Sequence, residues 1–97
     1  MKIYKNKRTK YHPSIEVESN EKCWKNLELT QSPTENNRYI ELKKNPNPNS
    51  PKKAYVRKYI RNDPIRTRGQ LMEKYKLSEE DMQTIERFVL EHENKKS

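Results

Sequence analysis

The sequence predicts a small, mainly-β domain with some helix. The expected architecture is an antiparallel barrel or curled sheet of roughly four to six short strands, closed by a C-terminal helix. Three observations carry this. Short runs of alternating apolar and polar residues recur at near-regular spacing between residues 12 and 60. The segments between them are polar or proline-bearing, which suits turns. Only residues 78–91 place apolar side chains at helical spacing behind a capping residue.

Taken in order, residues 1–11 form a basic N-terminal segment. His12–Glu18 reads as a strand, with Ile15 and Val17 inward and Ser14, Glu16 and Glu18 outward. Ser19–Lys22 is a polar turn. Trp24–Thr30 is a second strand, with Leu27 and Leu29 in phase and Lys25, Asn26 and Glu28 on the polar side. Gln31–Asn37 is a loop containing Pro33. Arg38–Lys43 is a third strand with Ile40 and Leu42 inward. Residues 44–53 hold an asparagine–proline run that cannot donate a continuous ladder of hydrogen bonds, so they form a loop. Lys53–Ile60 is a fourth strand, with Val56 and Ile60 on one face and Tyr55, Arg57 and Tyr59 on the other. A short helical turn is expected around Gln70–Glu73.

The helix follows from its first turn. The Ser78 hydroxyl can accept from the Asp81 backbone N–H, and Asp81 is placed to reach back in a capping box. Glu79, Glu80 and Asp81 put negative charge at the positive end of the helix dipole. Met82, Ile85, Phe88 and Val89 then make one apolar stripe that reads as core packing.

The chain has 97 residues, which suits a single domain, but only 29% are hydrophobic and the net charge is +8. Tyrosines and one Trp offset the thin aliphatic supply, because aromatics bury large areas. The core is expected to be small, with a homodimer contact as one way to support it. The lone Cys23 cannot form an internal disulfide, which fits a reducing compartment. No apolar leader or membrane-length run is present, so the expected location is the cytoplasm, with no membrane partner.

The charge is clustered. Lys2, Lys5, Lys7, Arg8 and Lys10 precede any acid, and Lys52, Lys53, Arg57, Lys58, Arg61, Arg66 and Arg68 face Asp63 alone. Two basic blocks and an acidic helix suggest one side that meets a polyanion, with RNA as the expected partner. No paired-carboxylate, Cys/His metal, glycine-rich phosphate or Ser-His-Asp pattern occurs, so no metal or cofactor is expected.

Four segments resemble the PemK/MazF family of toxins from bacterial toxin–antitoxin pairs. Tyr11-His12-Pro13-Ser14-Ile15-Glu16-Val17 is similar to the family's arginine–proline strand. Leu27-Glu28-Leu29-Thr30-Gln31-Ser32-Pro33 is similar to its strand ending in threonine. Arg38-Tyr39-Ile40-Glu41-Leu42 is similar to the strand after that. Ala54-Tyr55-Val56, Asp63-Pro64-Ile65-Arg66-Thr67 and Leu77-Ser78-Glu79-Glu80-Asp81 are similar to a later strand, turn and helix start. The resemblance spans about residues 11–90. It implies an SH3-like barrel, a metal-independent endoribonuclease activity and an acidic antitoxin-like partner. The family's arginine before the proline is His12 here, and the usual longer first strand is replaced by a short basic segment.

In such a reaction the RNA 2′-OH attacks the adjacent phosphate, so the protein must position the strand, move protons and stabilise charge. The resemblance makes His12 and Thr30 the catalytic candidates. Histidine exchanges protons near neutral pH, and Thr30 could hydrogen-bond phosphate. Arg8 and Lys10 are placed to supply the missing positive charge. Ser32, Arg57, Arg66 and Arg68 are the further candidate contacts to nucleic acid, and Tyr39, Tyr55 and Tyr59 could stack bases. The alternative is a non-catalytic barrel that binds nucleic acid or a protein, encoded by a phage or mobile element.

Overall fold

The computed structural model describes residues 1–34 and 38–96, the side chains of 94–96 excepted. Among these, seven strands pair antiparallel in one sheet. They are β1 (Ile3–Asn6), β2 (Pro13–Ser19), β3 (Cys23–Thr30), β4 (Tyr39–Glu41), β5 (Tyr55–Arg57), β6 (Arg61–Pro64) and β7 (Arg68–Leu71). One helix follows, α1 (Glu79–Lys96). The mainly-β architecture closed by a C-terminal helix is therefore the one the sequence predicts. The sheet has more strands than expected and is open. Its order is β4-β5-β3-β2-β1-β7, with β6 on β3, and the outermost strands β4 and β7 do not meet.

β3 organises the sheet because it is long enough to be shared. One side pairs with β2. On its other side, residues 23–26 pair with β6 and Leu29 and Thr30 pair with β5. The expected fourth strand, Lys53–Ile60, is shortened to Tyr55–Arg57, which pairs with β4, and the chain then turns to give β6, a further strand. The basic residues 1–11 conceal a true strand. β1 lies between β2 and β7, and Ile3 is fully buried opposite Ile15. The expected helical turn at Gln70–Glu73 is instead β7 and the turn after it, since pairing with β1 satisfies that backbone. Gly69 allows this close approach: a Cβ there would stand 2.8 Å from the Lys5 carbonyl oxygen. Residues 35–37 of the expected Gln31–Asn37 loop lie outside the described residues.

The core forms between α1 and one face of the sheet. Ile3, Ile15, Leu27, Leu29, Val56, Ile85 and Val89 belong to a single buried cluster. The helix start is capped as expected, with the Asp81 N–H donating to Ser78 Oγ at 3.1 Å. The Asp81 carboxylate does not complete a capping box. It accepts from the backbone N–H groups of Lys43 and Lys44 at 2.9 and 3.1 Å, pinning the start of the asparagine–proline loop to α1. A register shift between Glu16 and Glu18 turns Glu18 toward the helix side. There Lys25 bridges Glu18 at 2.9 Å and Glu93 of α1 at 3.2 Å. These hydrogen bonds, that to Glu18 first, raise the Lys25 ammonium above its ordinary value.

The opposite face holds a second, polar buried layer. Ser14 and Asn26, read from the sequence as outward-facing, are both fully buried. They are covered because β1 and β6 bring Asn6, Arg61 and Asp63 over them. The Asn6 side-chain N–H₂ donates to Asn26 Oδ1 at 3.1 Å and Asp63 Oδ2 at 3.2 Å, with a longer contact to Ser14 at 3.4 Å. Asn26 donates to the same Asp63 oxygen at 3.0 Å. Arg61 grips both carboxylate oxygens at 3.0 and 3.2 Å. Beside this cluster Trp24 donates from its ring nitrogen to Thr67 Oγ1 at 3.0 Å and meets Tyr4 edge-on. Among the described residues no buried side-chain nitrogen or oxygen lacks a partner.

Burial by itself would raise the Asp63 carboxyl. Hydrogen bonds from Arg61, Asn26 and Asn6 and the Arg61 charge outweigh it and hold the carboxyl below its ordinary value. No helix among the described residues is long and apolar enough to cross a membrane.

Candidate functional site

The ends of β2 and β3 put the sequence candidates side by side. His12 immediately precedes β2 and Thr30 ends β3, and the two line one cavity of about 230 Å³ with Ser32. Leu29 and Pro13 give it apolar surface, and Gln31, Asn45 and Tyr75 contribute polar groups. Its wall is tied down. Gln31 Oε1 accepts from Asn45 at 3.0 Å and Ser50 at 2.5 Å, and Asn45 also donates to the Lys52 carbonyl at 2.9 Å.

Thr30 and Ser32 also line a second, larger groove of about 560 Å³. Among the described residues this groove carries Arg38, Arg57 and Lys58 against one acid, Glu28, and is flanked by Tyr39 and Tyr59. Local structure explains the grouping. β5 pairs with both β4 and β3, so Arg57 stands opposite Tyr39 and Tyr55 opposite Thr30. The Lys58 N–H donates to the Arg38 carbonyl at 2.8 Å, which brings the two cationic residues to one edge. The Arg57 guanidinium lies 5.6 Å from the Tyr59 ring centre and 4.0 Å from Glu28. Thr30 Oγ1 accepts the Ser32 N–H at 3.1 Å, forming the ridge between the two hollows.

The structure thus brings His12, Thr30 and Ser32 to one hollow and Thr30, Ser32 and Arg57 to the next. It places the other candidates elsewhere. Arg8 is 55% exposed and stands 3.8 Å from Asp63, at the rim of the buried polar cluster. Lys10 is exposed in the β1–β2 turn, where it and Tyr11 have positive φ of 55° and 67°. Asn6 fixes that turn, since its Oδ1 accepts the Arg8 N–H at 2.9 Å. Arg66 is exposed in the turn between β6 and β7. Arg68 is engaged within the fold, stacked 4.7 Å from the Tyr4 ring centre and 2.5 Å from Glu16. Neither Arg66 nor Arg68 lines the two hollows.

Gln31 and Tyr75 also line the cavity, although the sequence pattern does not single them out. Gln31 sits between Thr30 and Ser32, so only its neighbours could signal it. Tyr75 arrives from a segment distant in sequence, which no local pattern reveals. Cys23 is half-buried, its thiol 3.7 Å from Asn20 Oδ1. Among the described residues no group of three or more His, Cys, Asp or Glu side chains is gathered to hold a metal ion. Comparison with protein-family models, curated proteins and solved structures gives no match.

Proposed function

We propose that the protein binds single-stranded RNA along the groove beside Thr30 and Ser32. The observation that carries this is the convergence of three cations and two tyrosines on one hollow that holds, among the described residues, a single acid. Arginine and lysine neutralise phosphate, while tyrosine rings offer stacking surface to unpaired bases. Measuring affinity for labelled single-stranded RNA across a salt series tests it. Affinity should fall as salt rises, and Arg57→Ala should reduce the slope of log affinity against log salt by about one. Affinity indifferent to salt would sink this reading.

A second reading adds turnover, and the shared His12–Thr30 cavity favours it. It agrees with the PemK/MazF resemblance, in which the protein is a metal-independent endoribonuclease toxin with an acidic antitoxin-like partner in the cytoplasm. His12 would take the proton from the 2′-OH as it attacks phosphorus to form the cyclic phosphate, the 5′-oxygen would leave with a proton from water, and Thr30 would hydrogen-bond the phosphate while Arg57 offsets its charge. RNA cleavage in EDTA that drops at least about a hundredfold in His12→Ala supports this version. Binding without any cleavage leaves a non-catalytic RNA-binding protein. Co-purification with an acidic partner, and the mass of the purified species, test the antitoxin and the homodimer.

A further inference from the structure

We infer that the smaller cavity is a pocket for one nucleobase, and that it favours a base rich in carbonyl oxygens, uracil before adenine. This rests on the RNA-binding reading and extends it. The argument is a contrast between two adjoining hollows. The groove is cationic, whereas among the described residues no Lys, Arg, Asp or Glu lines the smaller cavity. Its surface is apolar at Leu29 and Pro13 and otherwise made of uncharged hydrogen-bonding groups and His12.

A nucleotide has the same division, an anionic phosphate joined to a flat, uncharged, hydrogen-bonding base. One nucleotide straddling the Thr30–Ser32 ridge puts its phosphate toward Arg57 and Lys58 and its base into the small cavity. The choice of base follows from which atoms remain unused. Gln31 Oε1 is already occupied by Asn45 and Ser50, so its side-chain N–H₂ is what it has left to offer. Among the described residues, the Ser32 and Tyr75 hydroxyls have no side-chain partner either. Asn47 Oδ1 likewise accepts the Asn49 N–H at 3.0 Å, which leaves its N–H₂, whereas Asn45 spends its N–H₂ on Gln31 and the Lys52 carbonyl and the hydroxyls can donate or accept. Uracil meets the amide N–H₂ groups of Gln31 and Asn47 with two carbonyl acceptors, while adenine has no carbonyl and its N6/N7 edge calls for an amide oxygen that Gln31 has already committed.

The test is fluorescence anisotropy with labelled oligouridylate, oligoadenylate and an abasic oligonucleotide of equal length, at one salt concentration. Oligouridylate should bind about tenfold more tightly than oligoadenylate. Gln31→Leu and Tyr75→Phe should each shrink that ratio, with circular dichroism confirming that both variants fold. Lys58→Ala should weaken all three ligands by the same factor. Equal affinity for all three ligands in the unaltered protein, or a ratio that survives in both pocket variants, overturns the pocket. Binding with no base preference overturns the pocket alone, and no binding to any of the three overturns the RNA reading with it.

Discussion

On the helix side of the sheet, Ile15, Leu27, Val56 and Ile85 are sealed from solvent by aliphatic contact. On the other side Asn6 and Asn26 are as deeply buried, and Asp63 is 3% exposed, yet hydrogen bonds and one guanidinium join them. The two layers respond to damage differently. Trimming an aliphatic side chain in the first leaves a cavity, whose cost depends on how far the neighbours relax. Deleting a partner in the second leaves a buried charge or amide unmatched, and desolvation then works against the fold. A chain with 29% hydrophobic residues reaches a buried interior on both faces by combining the two.

The sharpest way to break this contrast is to remove the carboxylate. Asp63→Ala should cost about 4 kcal/mol by chemical denaturation, because Arg61, Asn6 and Asn26 all lose their shared acceptor. Ile85→Ala, on the aliphatic side, should cost about 3 kcal/mol. If Asp63→Ala proved milder than Ile85→Ala, the polar layer would not hold the fold in the way described.

Acid sharpens the same comparison. The folded Asp63 pKa lies below its ordinary 3.8, so this group's contribution is present above that value. It disappears as pH falls through the lowered folded pKa. Melting curves should therefore show the unaltered protein losing stability below about pH 4. Asp63→Asn should lose less over that interval, since it has no carboxylate to protonate. Equal acid sensitivity in the two proteins would assign the loss to other groups.

The smallest effect concerns the helix that covers the aliphatic layer. Ser78→Ala removes the acceptor for the Asp81 N–H and should lower stability by about 1 kcal/mol in the same denaturation assay. The loop contact of Asp81 with Lys43 and Lys44 should keep the helix start in place. A loss of proton-exchange protection at Lys43 and Lys44 would contradict that.

The aliphatic layer is readable in the sequence because its signal is periodic. Ile15, Leu27, Leu29, Val56 and the stripe of α1 all fall where alternation or helical spacing puts them. The polar layer is not readable. Asn26 and Ser14 occupy positions that alternation assigns to solvent, and only the arrival of β1 and β6 buries them. β1 is hidden because lysines surround Ile3, Tyr4 and Asn6, although strand pairing needs only one apolar side chain facing in. Of the candidate site, His12, Thr30 and Ser32 enter through the family resemblance, and the structure places all three on one cavity. Arg66 and Arg68 draw attention through charge alone, and charge does not say which edge a turn will face. Gln31 and Tyr75 depend on long-range packing and leave no local mark.

The place of β1 has a consequence for how the chain acquires its shape. β1 sits between β2 and β7, so the strand made first shares a border with the strand made last. During synthesis the sheet stays incomplete until residue 71 has emerged, however early β2 and β3 pair. Such distant pairing has to close a long loop before any contact rewards it, which slows folding and keeps an unpaired edge open in the meantime. The lysines flanking β1 then serve the growing chain as well as the finished one, because an exposed edge lined with like charge resists joining its neighbours.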